Sequence, residues 1–408
     1  MRILHVIAQL PALTGSGVYF TKVIGEMKKE AVEQAALFGS YPGFEWEVIE
    51  DVYKVRFEEE LNFPIVGMSD IMPYKSTRYG DLTLNQFHYW KKAFHKEFQR
   101  AVEEFKPDVV LTHHTWILSS LVAKEFEGPV FAFCHNTDLR QMQLNPHFAK
   151  EVIDLQNVQG VFTSGKSEHE PLIHDFHISE EKLHPLGGAY DPAVFFPRER
   201  KANEKTRYIY AGKLSDAKGT PELIDAFLLL QKELENVELT LIGEPMGDNA
   251  ERILEKIKRS KNIHLYPLVT QQELGELLRE HDVFILPSYF EGMPLSPIEA
   301  LACGISVIMT DNENLRDLVG EWIVNCGWID FLEMPKLSGV DQIAEEGKED
   351  FILRLKESMI RQRRWKDEKQ SDTIRKEIES HSWTGLVRRV LEIVRKESNE
   401  PKKRVKES

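Results

Sequence analysis

The chain has 408 residues, 42% of them hydrophobic, enough for packed cores in two or three domains and too many for a disordered polymer. Its 52 Lys and Arg stand against 66 Asp and Glu, a net charge of −14, which argues against sequence-independent binding of nucleic acid, where cations must neutralise phosphates. Cys134, Cys303 and Cys326 are the only cysteines and lie far apart, which excludes a disulfide scaffold and a cysteine zinc site and suits a reducing, cytoplasmic setting.

Residues 3–8 read as a buried strand. The run is too short and too polar at its flanks for a signal peptide, and no window of about 18 apolar residues predicts a membrane span. Gly15-Ser16-Gly17 follows, then helical spacing over 18–28. Residues 32–50 and 57–81 carry no readable pattern. Phe87, Trp90, Phe94, Phe98, Ala101, Val102 and Phe105 recur near every 3.6 residues and predict a helix over 84–105, stopped by Pro107. Strands are expected at 108–112, 129–133 and 160–163, with helices at 116–126 and 152–159. Such alternation predicts a parallel sheet covered on both faces.

The charged stretch 197–206 reads as a linker, after which the alternation restarts. Strands are expected at 208–211, 237–242, 263–266, 283–286 and 305–309, with helices at 220–234, 250–259, 272–281 and 297–302. Residues 350–379 are charged and mostly helical in pattern. Ser382 is placed to cap a last helix over 383–396, with Trp383, Leu386, Val387, Val390, Leu391 and Val394 along one face. Residues 397–408 are expected to form a disordered tail.

Glu291 and Glu299 lie eight residues apart, on a loop that leaves a buried strand and runs through Met293, Pro294 and Leu295 into a helix beginning near Ser296. Backbone N–H groups and the helix dipole favour an anion there. Ser296, Pro297 and Glu299 also fit a capping box, which would leave Glu299 purely structural. Gly212-Lys213-Leu214-Ser215-Asp216-Ala217-Lys218-Gly219 puts two lysines after a parallel strand, where open α/β sheets bind ligands. Taken by itself, the pair reads more readily as two solvated surface lysines. Gly15, Ser16 and Gly17 let backbone approach an anion but match neither the dinucleotide fingerprint nor the P-loop. His135 and the His113-His114 pair follow strands. His169, His174 and His177 lack the spacing of a metal site.

These pieces resemble the retaining glycosyltransferases of GT-B fold, the group that includes sucrose and glycogen synthases and many bacterial cell-surface sugar transferases. The resemblance rests on Gly212–Gly219 as G-K-L-x-x-x-K-G, on Leu241-Ile242-Gly243, and on Leu286-Pro287-Ser288 through Glu291 and Glu299 to Ala302-Cys303-Gly304. It implies an α/β architecture of two Rossmann-like parallel-sheet domains facing across a cleft. The acceptor domain would cover 1–192 and the nucleotide-sugar domain 193–365. C-terminal helices would cover 366–396, the last packing back on the first domain.

The same resemblance implies that Lys213 and Lys218 bind the donor diphosphate, that Glu291 meets the sugar and Glu299 the ribose, and that His135 contacts the sugar from the acceptor domain. Gly212, Met293, Pro294, Leu295 and Ser296 would line the nucleotide-sugar site, Gly15–Gly17 would form a loop closing over the phosphate, and Val269 would lie near the base. Lys213 stands where Arg is commoner, a point charge in place of a bidentate fork. The expected activity is transfer of a sugar, with retention, from a nucleoside diphosphate (a UDP-sugar as first choice) to an acceptor hydroxyl, with no metal and no further cofactor. A nucleotide-sugar epimerase and a non-catalytic sugar-nucleotide binder remain as alternatives. The acceptor is open among a glycan, a lipid-linked molecule and a small molecule. Lipid-linked acceptors, common in this group, leave room for a peripheral membrane contact.

Overall fold

The computed structural model describes residues 1–69, 72–198, 204–246, 249–289, 291, 294–339 and 342–398. They form two units, one of Met1–Gly187 with the described residues from Leu386 on, the other of Gly188–Gly385.

In the first unit the strands are β1 (Arg2–Ile7), β2 (Glu33–Ser40), β3 (Val52–Arg56), the short pair β4 (Val66–Gly67) and β5 (Thr77–Arg78), then β6 (Val109–His113), β7 (Val130–Phe133), β8 (Gly160–Thr163) and β9 (Leu183–Pro185). Seven of them make one parallel sheet in the order β3-β2-β1-β6-β7-β8-β9. The helices are α1 (Gly15–Met27), α2 (Leu84–Phe105), α3 (Ile117–Glu125), α4 (Thr137–Leu144) and α5 (His169–His174). In α2 the apolar stripe Trp90, Phe94, Phe98, Ala101 and Phe105 is buried, Thr83 and Gln86 form a capping box, and Lys106 ends it in the left-handed region at φ 51° before Pro107.

Two expectations fail here. Residues 32–50 are not patternless, because β2 lies within them. Its Ala35, Ala36 and Gly39 lack the branched side chains that announce a strand, and a Cβ on Gly39 would stand 2.5 Å from the Ala8 carbonyl of the neighbouring chain segment. Residues 152–159 are not an α-helix either; 3-10 turns at Pro146–Glu151 and Ile153–Asn157 occupy that stretch.

In the second unit β10 (Thr206–Ala211), β11 (Val237–Ile242), β12 (Ile263–Tyr266), β13 (Val283–Leu286), β14 (Ser306–Thr310) and β15 (Ile329–Leu332) pair in parallel in the order β12-β11-β10-β13-β14-β15. Around them lie α6 (Thr220–Glu233), α7 (Ala250–Ile257), α8 (Gln271–Glu280), α9 (Ser296–Ala302), α10 (Glu313–Asn325), α11 (Glu345–Gln362) and α12 (Asp372–Ser380). The Tyr208 hydroxyl donates to the Met359 carbonyl at 3.0 Å, fastening α11 to the central strand. No helix among the described residues is long and apolar enough to cross a membrane.

The last helix, α13 (Trp383–Glu397), starts where Ser382 Oγ accepts from the Gly385 N–H at 3.1 Å. Its Leu386, Val387, Val390, Leu391 and Val394 are buried. Arg389 donates to the Leu186 carbonyl at 3.0 Å and the Gln159 amide to the Glu397 carbonyl at 3.0 Å, both within the first unit.

In each sheet the strand order reverses direction once, between β1 and β6 and between β10 and β13. Parallel sheets open a crevice at such a switch, outside the carboxyl ends of the strands. Gly15–Gly17 lie after β1, and His113 ends β6 with His114 directly after it; the segments after β10 and β13 carry Gly212–Gly219 and Pro287 to Glu299.

Candidate functional site

In the second unit two loops meet at the switch. Glycine permits the approach: Gly219 adopts φ +62°, and a Cβ there would stand 2.1 Å from the Pro287 carbonyl oxygen. The Tyr289 N–H donates to the Ala217 carbonyl at 3.0 Å, tying one loop to the other. Across this junction Lys218 Nζ donates to Glu291 Oε1 at 2.7 Å. The Glu291 backbone is held in turn by the Asn312 amide, which donates to its carbonyl at 2.9 Å while Asn312 Oδ1 caps α10 by accepting from the Leu315 N–H. A lysine ammonium has three N–H donors, so Lys218 paired to Glu291 retains donors for a second anion.

Lys213 is exposed, and its side chain has no ion-pair partner among the described residues. Its carbonyl accepts from the Tyr210 hydroxyl at 2.7 Å, and that hydroxyl stands 2.9 Å from where a Cβ on Gly212 would project. The structure therefore brings Lys218 and Glu291 together at once and leaves Lys213 as a solvated cation on the same loop.

Glu299 decides between the capping box and a ligand role. The N-cap of α9 is Leu295, not Ser296, and no side chain caps it. Glu299 is 8% exposed, and among the described residues nothing hydrogen-bonds its carboxyl. Burial alone pushes that carboxyl up to about 7. A buried carboxyl with no partner is a costly arrangement for structure, and perturbed groups of this kind cluster at binding sites. Beside it the Leu295 and Ser296 N–H groups have no acceptor among the described residues. Pro294 is buried and Leu295 half-buried; a Cβ on Gly188 would stand 2.1 Å from Leu295 Cδ2, so that glycine lets the segment after β9 reach the loop. Val269 is half-buried between β12 and α8. Met293 lies outside the described residues.

In the first unit Gly15, Ser16 and Gly17 are not a loop. They form the first turn of α1, where Thr14 Oγ1 accepts from the Gly17 N–H at 3.0 Å and Gln9 donates to Ser16 Oγ at 2.7 Å. Gly17 is needed for packing, because a Cβ would meet the Ala12 and Leu10 backbone at 2.6 to 2.8 Å. The Gly17 N–H is thus already used, while those of Gly15 and Ser16 open the helix.

The loops after β6 and β7 are joined by Asp138, which is fully buried. Its carboxylate accepts from His114 Nδ1 at 2.5 Å, the Thr115 N–H at 2.7 Å, Thr115 Oγ1 at 2.9 Å and the His135 N–H at 3.2 Å. His114 and Asn136 take φ values of 74° and 58°, and Leu13, after β1, takes 65°. Strained backbone at three adjacent strand ends persists only where its surroundings hold it, and such strain gathers at functional sites. His135 is half-buried, its Nε2 3.2 Å from His113 Nδ1, with Tyr19 edge-on at 5.2 Å between centroids. Burial, reinforced by His114, holds its imidazole down to about 3, so it is neutral at pH 7.

Asp138, Thr115 and Asn312 were not legible as site residues. They act through loops distant in sequence, and only Asp138, three residues after His135, had a nearby cue. Burial would raise the Asp138 carboxyl, but His114, His135 and the Thr115 N–H outweigh it and hold the group at about 2. A carboxylate so depressed contributes stability above pH 4 that is lost as pH falls toward 2. Asp138→Ala strands a buried His114 Nδ1–H and a Thr115 N–H and is expected to cost about 3–5 kcal/mol, read by urea unfolding at pH 7. Its unfolding midpoint should respond less than the parent's between pH 4 and pH 2; an equal response would contradict the assignment. Among the described residues no group of three or more His, Cys, Asp and Glu is placed to hold a metal ion.

Residues 193–330 match the family described as Glycosyl transferases group 1. MMP alpha-(1->4)-mannosyltransferase of Mycolicibacterium hassiacum is 27% identical over 181 residues, 44% of this chain and 42% of that protein. Mannosylfructose-phosphate synthase of Agrobacterium fabrum is 26% identical over 243 residues, 55% of this chain and 52% of that one. The chain thus spans about half the length of these relatives. Among solved structures, HepE of Anabaena in complex with UDP superposes with a TM-score of 0.60 at 13% identity, covering 97% of this chain and 100% of that one. Sucrose-phosphate synthase from Thermosynechococcus elongatus superposes with a TM-score of 0.58 at 14% identity, covering 97% and 98%. At such identities the likeness concerns the fold.

Proposed function

We propose that this chain of GT-B fold, whose residues 193–330 match the Glycosyl transferases group 1 family, is a retaining glycosyltransferase that moves a sugar from a nucleoside diphosphate to an acceptor hydroxyl. The observation that carries this is the grouping at the switch of the second sheet. Lys218 and Glu291 are paired there across two glycine-bearing loops, and on the helix that follows the second loop Glu299 is buried without a partner among the described residues. In this role Glu299 accepts hydrogen bonds from the ribose hydroxyls, which supply the partners that the described residues lack. Lys218 meets the diphosphate, joined by the Leu295 and Ser296 N–H groups and by Lys213. Glu291, positioned by Lys218 and Asn312, meets the sugar. In the first unit His135 offers a hydrogen bond to a sugar oxygen.

As the sugar–phosphate bond breaks, negative charge grows on the diphosphate. Lys218, Lys213 and the α9 N–H groups are the groups to stabilise it, so catalysis is electrostatic and positional. No protein nucleophile is assigned; the leaving phosphate takes the acceptor proton on the face from which it departs. The solved neighbour with UDP bound supports a uridine donor as first choice. The full-length chain should be incubated with UDP-sugars and a panel of acceptors, and the products read by NMR. A transferred sugar that keeps the donor's anomeric configuration is the expected result. An inverted anomer, or an isomerised sugar nucleotide formed without acceptor, would contradict it.

A further inference from the structure

We infer that His113 is a positioning residue that holds His135 with its ring proton on Nδ1, so that the first unit presents a hydrogen-bond donor to an oxygen of its ligand. His113 Nδ1 and His135 Nε2 are 3.2 Å apart, and one of the two must donate. Burial keeps both rings neutral at pH 7, so each carries one ring proton and two arrangements remain. Either His113 donates from Nδ1 and leaves its Nε2 bare, or His135 donates from Nε2 and places an N–H on His113 Nε2.

A neighbouring histidine shows how this core treats a spare ring nitrogen. His5 Nε2 lies 3.0 Å from Gln34 Oε1, and the Gln34 amide is oriented by donating to the Ile24 carbonyl at 3.3 Å. An amide oxygen only accepts, so the His5 proton is on Nε2 and its enclosed, unpartnered Nδ1 is a lone pair. In this ring the hydrogen bond sets the tautomer and the orphan is an acceptor.

His113 Nε2 is likewise enclosed without a partner, in a ring 2% exposed. Orphaned buried N–H groups are rarer than under-satisfied acceptors, and the two among the described residues of this core, Trp90 Nε1 and Trp116 Nε1, belong to rings with no second nitrogen, whereas His113 can carry its proton on the nitrogen that has a partner. Phe20, edge-on to His113 at 4.9 Å between centroids, offers only a weak N–H···π contact in place of an acceptor. The proton of His113 therefore sits on Nδ1, and His135 accepts at Nε2. The remaining nitrogen of His135, Nδ1, carries the proton. It has no partner among the described residues and is not one of the enclosed atoms. Asp138, accepting from the His135 backbone N–H, fixes the loop that aims it. The tautomer stands on this geometry; only its consequence, donation to a sugar oxygen, rests on the proposed transferase.

Two-bond 1H–15N NMR of the full-length chain labelled with 15N-histidine reads the tautomer directly, with His135→Gln identifying the signals. At pH 7 the expected pattern for His135 is a neutral ring protonated on Nδ1. His113→Phe should convert it to a tautomer mixture and lower kcat/KM for sugar transfer about tenfold. His113→Asn, whose amide nitrogen can stand where Nδ1 donates, should restore both. A His135 proton on Nε2 in the unmodified chain overturns the inference even if His113→Phe fails to fold, as does an unchanged spectrum in a folded His113→Phe. The expected spectrum in a chain that transfers no sugar supports the tautomer and contradicts the proposed function instead.

Discussion

Replacing Glu299 by Gln is expected to stabilise the second unit by about 3 kcal/mol at pH 8 and by almost nothing at pH 4. Burial raises the carboxyl from 4.5 to about 7, so between those values the folded chain keeps a proton that the unfolded chain has released. Stability falls with rising pH wherever the folded state holds the extra proton, and the penalty is complete above pH 7. Gln has the same shape and no charge to desolvate, so the benefit of Glu299→Gln should grow from pH 4 to pH 8. Urea unfolding of parent and variant at both pH values measures it. The same change should weaken binding of the nucleoside diphosphate on the order of tenfold to a hundredfold, the worth of a charge-assisted hydrogen bond. A group kept for structure would show the opposite, with stability lost at every pH and binding unaltered.

Lys218→Ala should reduce sugar transfer by about a hundredfold to a thousandfold, the usual loss when one preorganised donor to developing charge is removed. Its effect on stability should be small. The side chains of Lys218 and Glu291 are 26% and 21% exposed, and an ion pair with this much solvent access is worth at most about 1 kcal/mol. Steady-state kinetics with saturating donor, set beside urea unfolding, separates the two effects. A variant that keeps its turnover would remove Lys218 from the proposed chemistry. Lys213→Ala is expected to cost less, because that lysine is exposed and contacts no carboxylate among the described residues.

The alternating architecture was legible because buried parallel strands are continuous apolar runs. Residues 283–286 coincide with β13 and residues 129–133 enclose β7, both apolar and buried throughout, whereas the edge strand β12 at 263–266 is mostly exposed. Where a strand is built of Ala and Gly, as in β2, hydrophobic patterning has nothing to read. The motif around Glu291 and Glu299 could be located from its chain position, but its chemistry could not be decided there, since a capping box and a ligand-binding carboxylate share one pattern. Burial and the absence of a described hydrogen-bond partner distinguish them, and both are tertiary properties. The pairing of Lys218 with Glu291 was hidden for the same reason, as was the role of Asp138 in joining two loops. The first turn of α1 misled because Gly-Ser-Gly suits a flexible loop, while Thr14 converts it into a capped helix start.

The claim that the second unit holds a nucleoside diphosphate sugar is tested most directly by thermal unfolding of the full chain with UDP, GDP, ADP and their common sugar conjugates, run in parallel on Lys218→Ala and Glu299→Gln. A ligand at 100 times its dissociation constant stabilises by about 2.7 kcal/mol. The account predicts that one nucleotide series raises the unfolding temperature of the parent and that each variant loses most of that shift. No shift with any nucleotide, or equal shifts in the parent and both variants, would contradict it.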